Sequence, residues 1–117
     1  MKKIFHLSTC STNKRILKEL DLGSDVELQD IKETNIDAKT LDFIKEKVGS
    51  YELLFSKRAM KYKSMGLDKL NLLEEDYRKY ILSEYTFLKR PFILLDDQVF
   101  IGNSAKTVTA AKQAYHG

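Results

Sequence analysis

The sequence predicts an α/β fold around a mixed four-stranded sheet, in the order β-α-β, helical block, β-β-α. Three observations lead there. Short apolar runs come in two pairs, KIFHLS with VELQDI near the start and FILL with VFI near the end. Residues at helical spacing fill the interval between the pairs. No repeat, low-complexity stretch or long linker interrupts them, so one domain over residues 1–117 is expected, with a helical insertion at about 37–88.

Residues 3–8, KIFHLS, have the length and apolar content of a buried strand. Ser11 or Thr12 then caps a helix whose apolar face is Ile16, Leu17 and Leu20, and Gly23 in DLGSD supplies its stop. VELQDI, 26–31, alternates as a half-buried strand does. Asp37 caps a helix carrying Leu41, Ile44 and Val48 and ending at Gly49. Tyr51, Leu54 and Phe55 continue as a short helix, and the basic stretch FSKRAMKYK, 55–63, shows little hydrophobic order. A further helix is expected from about Glu74 to Tyr85, with Tyr77, Ile81, Leu82 and Tyr85 inward. Residues 89–104, KRPFILLDDQVFIGNS, read as a hairpin in which DDQ separates two strands. Asn103 or Ser104 caps the last helix, with Val108, Ala111 and Tyr115 at helical spacing.

Composition narrows the function classes. A chain that is 43% hydrophobic and 32% charged has the balance of a soluble globular protein, and no apolar run approaches the length needed to cross a bilayer. The opening MKKIFHLSTC has too short an apolar run for a signal peptide, so a cytoplasmic location is expected. A net charge of +3, with both signs spread along the chain, argues against direct nucleic-acid binding. One cysteine and two distant histidines make no metal-ligand set.

The single cysteine, Cys10, stands where the first strand turns into the first helix. Backbone N–H groups and the positive end of a helix dipole favour a thiolate at such a place, and the amides around Ser11, Thr12 and Asn13 suit an oxyanion beside the sulfur. An inert buried cysteine fits the local sequence equally well. His6, four residues earlier, is placed to interact with or tune the thiol. Arg58 in the basic stretch and Arg90 before Pro91, the only proline, are candidate clamps for an anion, although either alone reads as a solvated surface charge.

Taken together, the strand-to-helix turn with Cys10, the SKRAMKY segment and the KRPFILLDD…VFIGNS hairpin resemble the thioredoxin-like arsenate reductase family, which also holds the Spx regulators and the YffB-type proteins. The resemblance covers nearly the whole chain and implies a thioredoxin-like, glutaredoxin-type fold. It implies Cys10 as nucleophile and His6 as the histidine that helps keep the thiol ionised. Arg58 and Arg90 become the oxyanion-contacting pair, and Pro91 the cis proline beside the sulfur. Asn103 stands where the glutaredoxin-linked arsenate reductases carry a third arginine, and Asn13 stands where many Spx regulators carry the second cysteine of a redox switch. An internal disulfide is thereby excluded, and the reductant has to be external.

The function so implied is a single-cysteine thiol oxidoreductase acting on an oxyanion or a glutathione-linked substrate, with glutathione or another external thiol as reductant, no bound cofactor, and glutaredoxin as a partner. The alternative is an Spx-like regulator that binds the RNA polymerase alpha subunit without catalysis.

Overall fold

In the computed structural model, which describes residues 2–117, β1 (Lys2–His6) pairs in parallel with β2 (Glu27–Asp30) and antiparallel with β3 (Phe92–Leu95). β3 pairs antiparallel with β4 (Gln98–Ile101), giving a mixed sheet in the order β2-β1-β3-β4. This is the four-stranded, thioredoxin-like sheet that was expected. Because β1 and β4 run the same way, the helices that follow them, α1 (Ser11–Leu20) and α5 (Ala105–His116), both start at one edge of the sheet.

The described chain divides into two compact units, residues 2–34 with Arg90–Gly117, and Asn35–Lys89. In the first unit, Ile4, Ile93 and Leu95 on one sheet face pack with Ile16 and Leu20 of α1 and Val108 and Ala111 of α5. Strand alternation sends Phe5, Phe92 and Leu94 to the opposite face. All three are buried, and the Phe5 and Phe92 rings meet edge-on with centroids 6.1 Å apart. Tyr115 closes the far end, its hydroxyl accepting from the Gly23 N–H at 2.9 Å and donating to Asp25.

Several local expectations are revised. The N-cap of α1 is Cys10 itself, with Ser11 as the first helical residue, because the chain is still extended at Cys10 (φ −96°, ψ 117°). Helix α1 stops at Asp21, which takes the left-handed conformation (φ 50°) and donates its N–H to the Lys18 carbonyl, so Gly23 is not the stop. The hairpin turn is two residues, Asp96 and Asp97, since Gln98 already pairs with Leu95; Asp96 adopts φ 55° to make it. Leu28 is 53% exposed, because β2 is an edge strand. At α5 the cap is Ser104, whose hydroxyl accepts from the Thr107 N–H at 3.1 Å.

The second unit contains α2 (Ala38–Val48), α3 (Met60–Ser64) and α4 (Glu74–Ser83). Asp37 caps α2 by accepting from the Thr40 N–H at 2.7 Å, and Gly49 ends it at φ 106°. The basic stretch is not irregular throughout, since its second half forms α3. α4 ends two residues earlier than expected, and Tyr85 belongs to a separate 3₁₀ turn, Tyr85–Phe87. Phe55 is the hub, stacked on Phe87 at 5.0 Å and meeting Tyr77 and Tyr62 edge-on at 5.0 and 5.7 Å. The Ser56 N–H to Phe87 carbonyl and Lys89 N–H to Leu54 carbonyl bonds hold that segment in register. No helix among the described residues is long and apolar enough to cross a membrane.

Candidate active site

The site is built on the edge of the sheet where β1 ends and α1 begins. After His6 the chain makes a tight turn, closed by the Cys10 N–H donating to the Leu7 carbonyl at 3.0 Å. The Cys10 carbonyl accepts the first helical bond, from the Lys14 N–H at 3.1 Å. The half-buried thiol therefore sits at the N-terminal end of α1, where the first amides have no helical partner and the dipole is positive.

One side chain fixes this turn. Asn13 is the only buried polar residue among those described, 1% exposed. Its Oδ1 accepts from the Leu7 N–H at 3.0 Å, and its Nδ2 donates to Cys10 Sγ at 3.4 Å. Both ends of the carboxamide are thus used inside the turn. Ser11 is exposed and Thr12 half-buried in the first turn of α1, and their backbone amides, with that of Asn13, are the oxyanion candidates.

His6 pairs with Asp30 in the β1–β2 register and accepts from the Ile31 N–H through its backbone carbonyl at 2.9 Å. Alternation puts its half-buried side chain on the face of Ile4, the face across which α1 runs. Among the described residues, no hydrogen bond joins its ring to the sulfur, so any effect on the thiol acts through space. Asp30, which sequence reading did not single out, lies at this same edge. The Ser8 hydroxyl, with the Ser8 and Lys32 amides, holds its carboxyl below the ordinary value of 3.8. An acidic residue at the end of the second strand, paired with His6, was the available signal.

The Arg90–Pro91 peptide is cis. The buried Pro91 immediately precedes β3, whose first residue Phe92 pairs with Phe5, so Pro91 and Arg90 enter the sheet at the end where β1 gives way to the Cys10 turn. On its other side the Pro91 carbonyl accepts from the Gly102 N–H at 3.0 Å, and Gly102, at φ 96°, turns the chain out of β4 just before Asn103. Cys10, Ser11, Thr12, Asn13, His6, Arg90 and Pro91 thus gather at one sheet edge, with exposed Asn103 at its far end. Arg58 belongs to the other unit, in the turn before α3, where its exposed guanidinium has no hydrogen-bond or ion-pair partner among the described residues. No group of three or more His, Cys, Asp or Glu among the described residues could hold a metal ion.

The chain was compared with known proteins. The ArsC family profile matches residues 5–111, a span that contains every site residue named above. A protein of Haemophilus influenzae described as uncharacterised is 28% identical over 113 residues, covering 95% of this chain and 98% of its own. Among solved structures, an arsenate reductase (ArsC) related protein from Brucella melitensis superposes with a TM-score of 0.71 at 25% identity, covering 93% of this chain and 92% of its own. An arsenate reductase from Vibrio cholerae reaches 0.79 at 16% identity, over 94% and 96%. With a family match that runs from β1 into α5, this chain belongs to the ArsC family.

Proposed function

We propose that the protein is a single-cysteine thiol oxidoreductase in which Cys10 attacks an oxyanion or a glutathione-linked sulfur and an external thiol completes the cycle. The observation that carries this reading is the placement of Cys10 Sγ at the start of α1 and under an N–H donor at 3.4 Å.

For an oxyanion such as arsenate, the Cys10 thiolate displaces one oxygen as water, and the helix amides and Arg90 take up the negative charge. Reduction of arsenic(V) to arsenic(III) needs two electrons. Cys10 and one glutathione thiol supply one each, leaving a Cys10–glutathione disulfide. A second thiol, free or carried by glutaredoxin, attacks the glutathione sulfur and returns Cys10 as thiolate. A glutathione-linked substrate enters the same cycle at the disulfide stage. In this scheme His6 supports the thiolate, Arg90 binds the anion or a glutathione carboxylate, and Pro91 forms the wall facing the sulfur.

Asn103 brings a hydrogen-bonding group but no charge to the place of the third arginine, which favours the glutathione-linked substrate over arsenate. The test is thiol-dependent turnover with arsenate and, separately, with a mixed disulfide of glutathione, in the parent protein and in Cys10→Ser. Turnover with either substrate that Cys10→Ser abolishes while remaining folded supports the reading. Absence of turnover with both, together with capture of the RNA polymerase alpha subunit, would put the regulator in its place.

A further inference from the structure

We infer that Asn13 is a positioning residue for the chemistry of Cys10: its carboxamide is locked so that an N–H always faces the sulfur, holding charge there in place of a second thiol. The inference rests on the proposed role of Cys10 as nucleophile and adds the group that readies it. An asparagine side chain is nearly symmetric in shape, and what decides its orientation is the hydrogen bonds it makes. Here the Leu7 N–H, a donor with no acceptor capacity, lies 3.0 Å from one end and must meet the oxygen. The opposite end is then the NH₂ group, and it meets Cys10 Sγ at 3.4 Å. Burial to 1% exposure removes water as a competing partner and stops the amide from flipping.

The consequence is a bond that grows stronger as the sulfur gains charge. A neutral thiol is a weak acceptor, whereas a thiolate is a charged one, and charge-assisted bonds are roughly twice as strong. Sulfur carries negative charge at two moments of the cycle. It does so before attack, and again when an external thiol attacks the bound glutathione sulfur and the electron pair of the broken S–S bond leaves on Cys10. The same donor serves both, and because the residue is not a second cysteine it does so without closing an internal disulfide.

The structural and chemical roles of Asn13 separate cleanly. Asn13→Asp keeps an oxygen for the Leu7 N–H but replaces the donor facing the sulfur with a group of the wrong charge, whereas Asn13→Ala removes both contacts. Iodoacetamide reads thiol reactivity without any substrate. It is expected to alkylate Cys10 about tenfold more slowly near pH 8 in both variants, the scale of one hydrogen bond to a charged group. A further measurement needs no variant: in isotope-labelled parent protein, the side-chain amide resonances of Asn13 move when Cys10 is converted to its methyl disulfide with methyl methanethiosulfonate.

Alkylation of Asn13→Asp at the parental rate, or an Asn13 amide signal indifferent to modification of Cys10, overturns the inference. Should Asn13→Asp fail to fold, the resonance experiment decides. Failure of turnover with arsenate and mixed disulfide alike would overturn the proposed function while leaving the alkylation result standing, so the two readings fail separately.

Discussion

Arg78 grips Asp42 at two points, Nε donating to Oδ1 at 2.8 Å and Nη2 to Oδ2 at 3.1 Å, and so clamps α4 to α2. The Tyr51 hydroxyl donates to the same carboxylate at 2.6 Å. Arg78 first, then Tyr51, lower the Asp42 carboxyl from the ordinary 3.8 to about 2. A carboxyl depressed on folding adds stability that is complete above its unfolded value and is lost as pH falls through the folded one. The parent protein should therefore lose stability through this pair between about pH 4 and pH 2. Asp42→Asn should lower Tm near neutrality and flatten that acid limb. Both partners are more than a third exposed, so the effect is at most about 1 kcal/mol. Melting curves of both proteins across this pH range check it, and parallel acid limbs would rule the pair out as a source of the acid sensitivity.

Gly23 and Tyr115 couple the end of α1 to α5 in a way that a double-mutant cycle can read. A Cβ on Gly23 would stand 2.8 Å from the Tyr115 hydroxyl, and the hydroxyl accepts from the Gly23 N–H. Gly23→Ala should destabilise by displacing the tyrosine, and Tyr115→Phe by removing its hydrogen bonds. Combined, they should cost less than the sum of the two, because the second change removes the atom with which the first collides. Additive losses in urea unfolding would show that the tyrosine moves aside freely.

Asn13→Cys should turn a one-thiol protein into a two-thiol one. The Asn13 amide nitrogen already lies 3.4 Å from Cys10 Sγ, and residues three apart at the start of a helix hold the spacing of Cys-X-X-Cys motifs. Mild oxidation should remove both free thiols without forming dimers, read by thiol titration and a non-reducing gel. Two titratable thiols surviving in a folded variant would mean that the turn cannot bring the sulfurs together.

Asn103→Arg tests the charge that this edge lacks. Residue 103 follows Gly102, whose N–H bonds the Pro91 carbonyl, so a guanidinium there adds a cation close in the chain to the cis Arg90–Pro91 peptide. Arsenate turnover should rise about tenfold, while alkylation by uncharged iodoacetamide changes little. An unchanged arsenate rate would show that position 103 does not face the substrate.

The sequence by itself determined the order of elements, because each rests on short-range chemistry: alternation in VELQDI, helical spacing behind Asp37, and the apolar pairs flanking Asp96 and Asp97. It also placed Cys10 in the turn between the first strand and a helix, although the cap it pointed to was Ser11 or Thr12 and not Cys10 itself. Helix ends were legible only approximately. Gly23 looks like the stop of α1, but Asp21 takes the left-handed conformation first, at a steric cost that sequence pattern does not display. The tertiary structure alone decided what Asn13 does. Its spacing from Cys10 is visible in the sequence, but its orientation depends on the Leu7 amide at the end of β1, and its weight depends on burial that only the packed turn supplies. The same holds for the sheet edge as a site: Arg90 and Pro91 lie some eighty residues from Cys10 in the chain, and antiparallel pairing of β1 with β3 is what returns them to it.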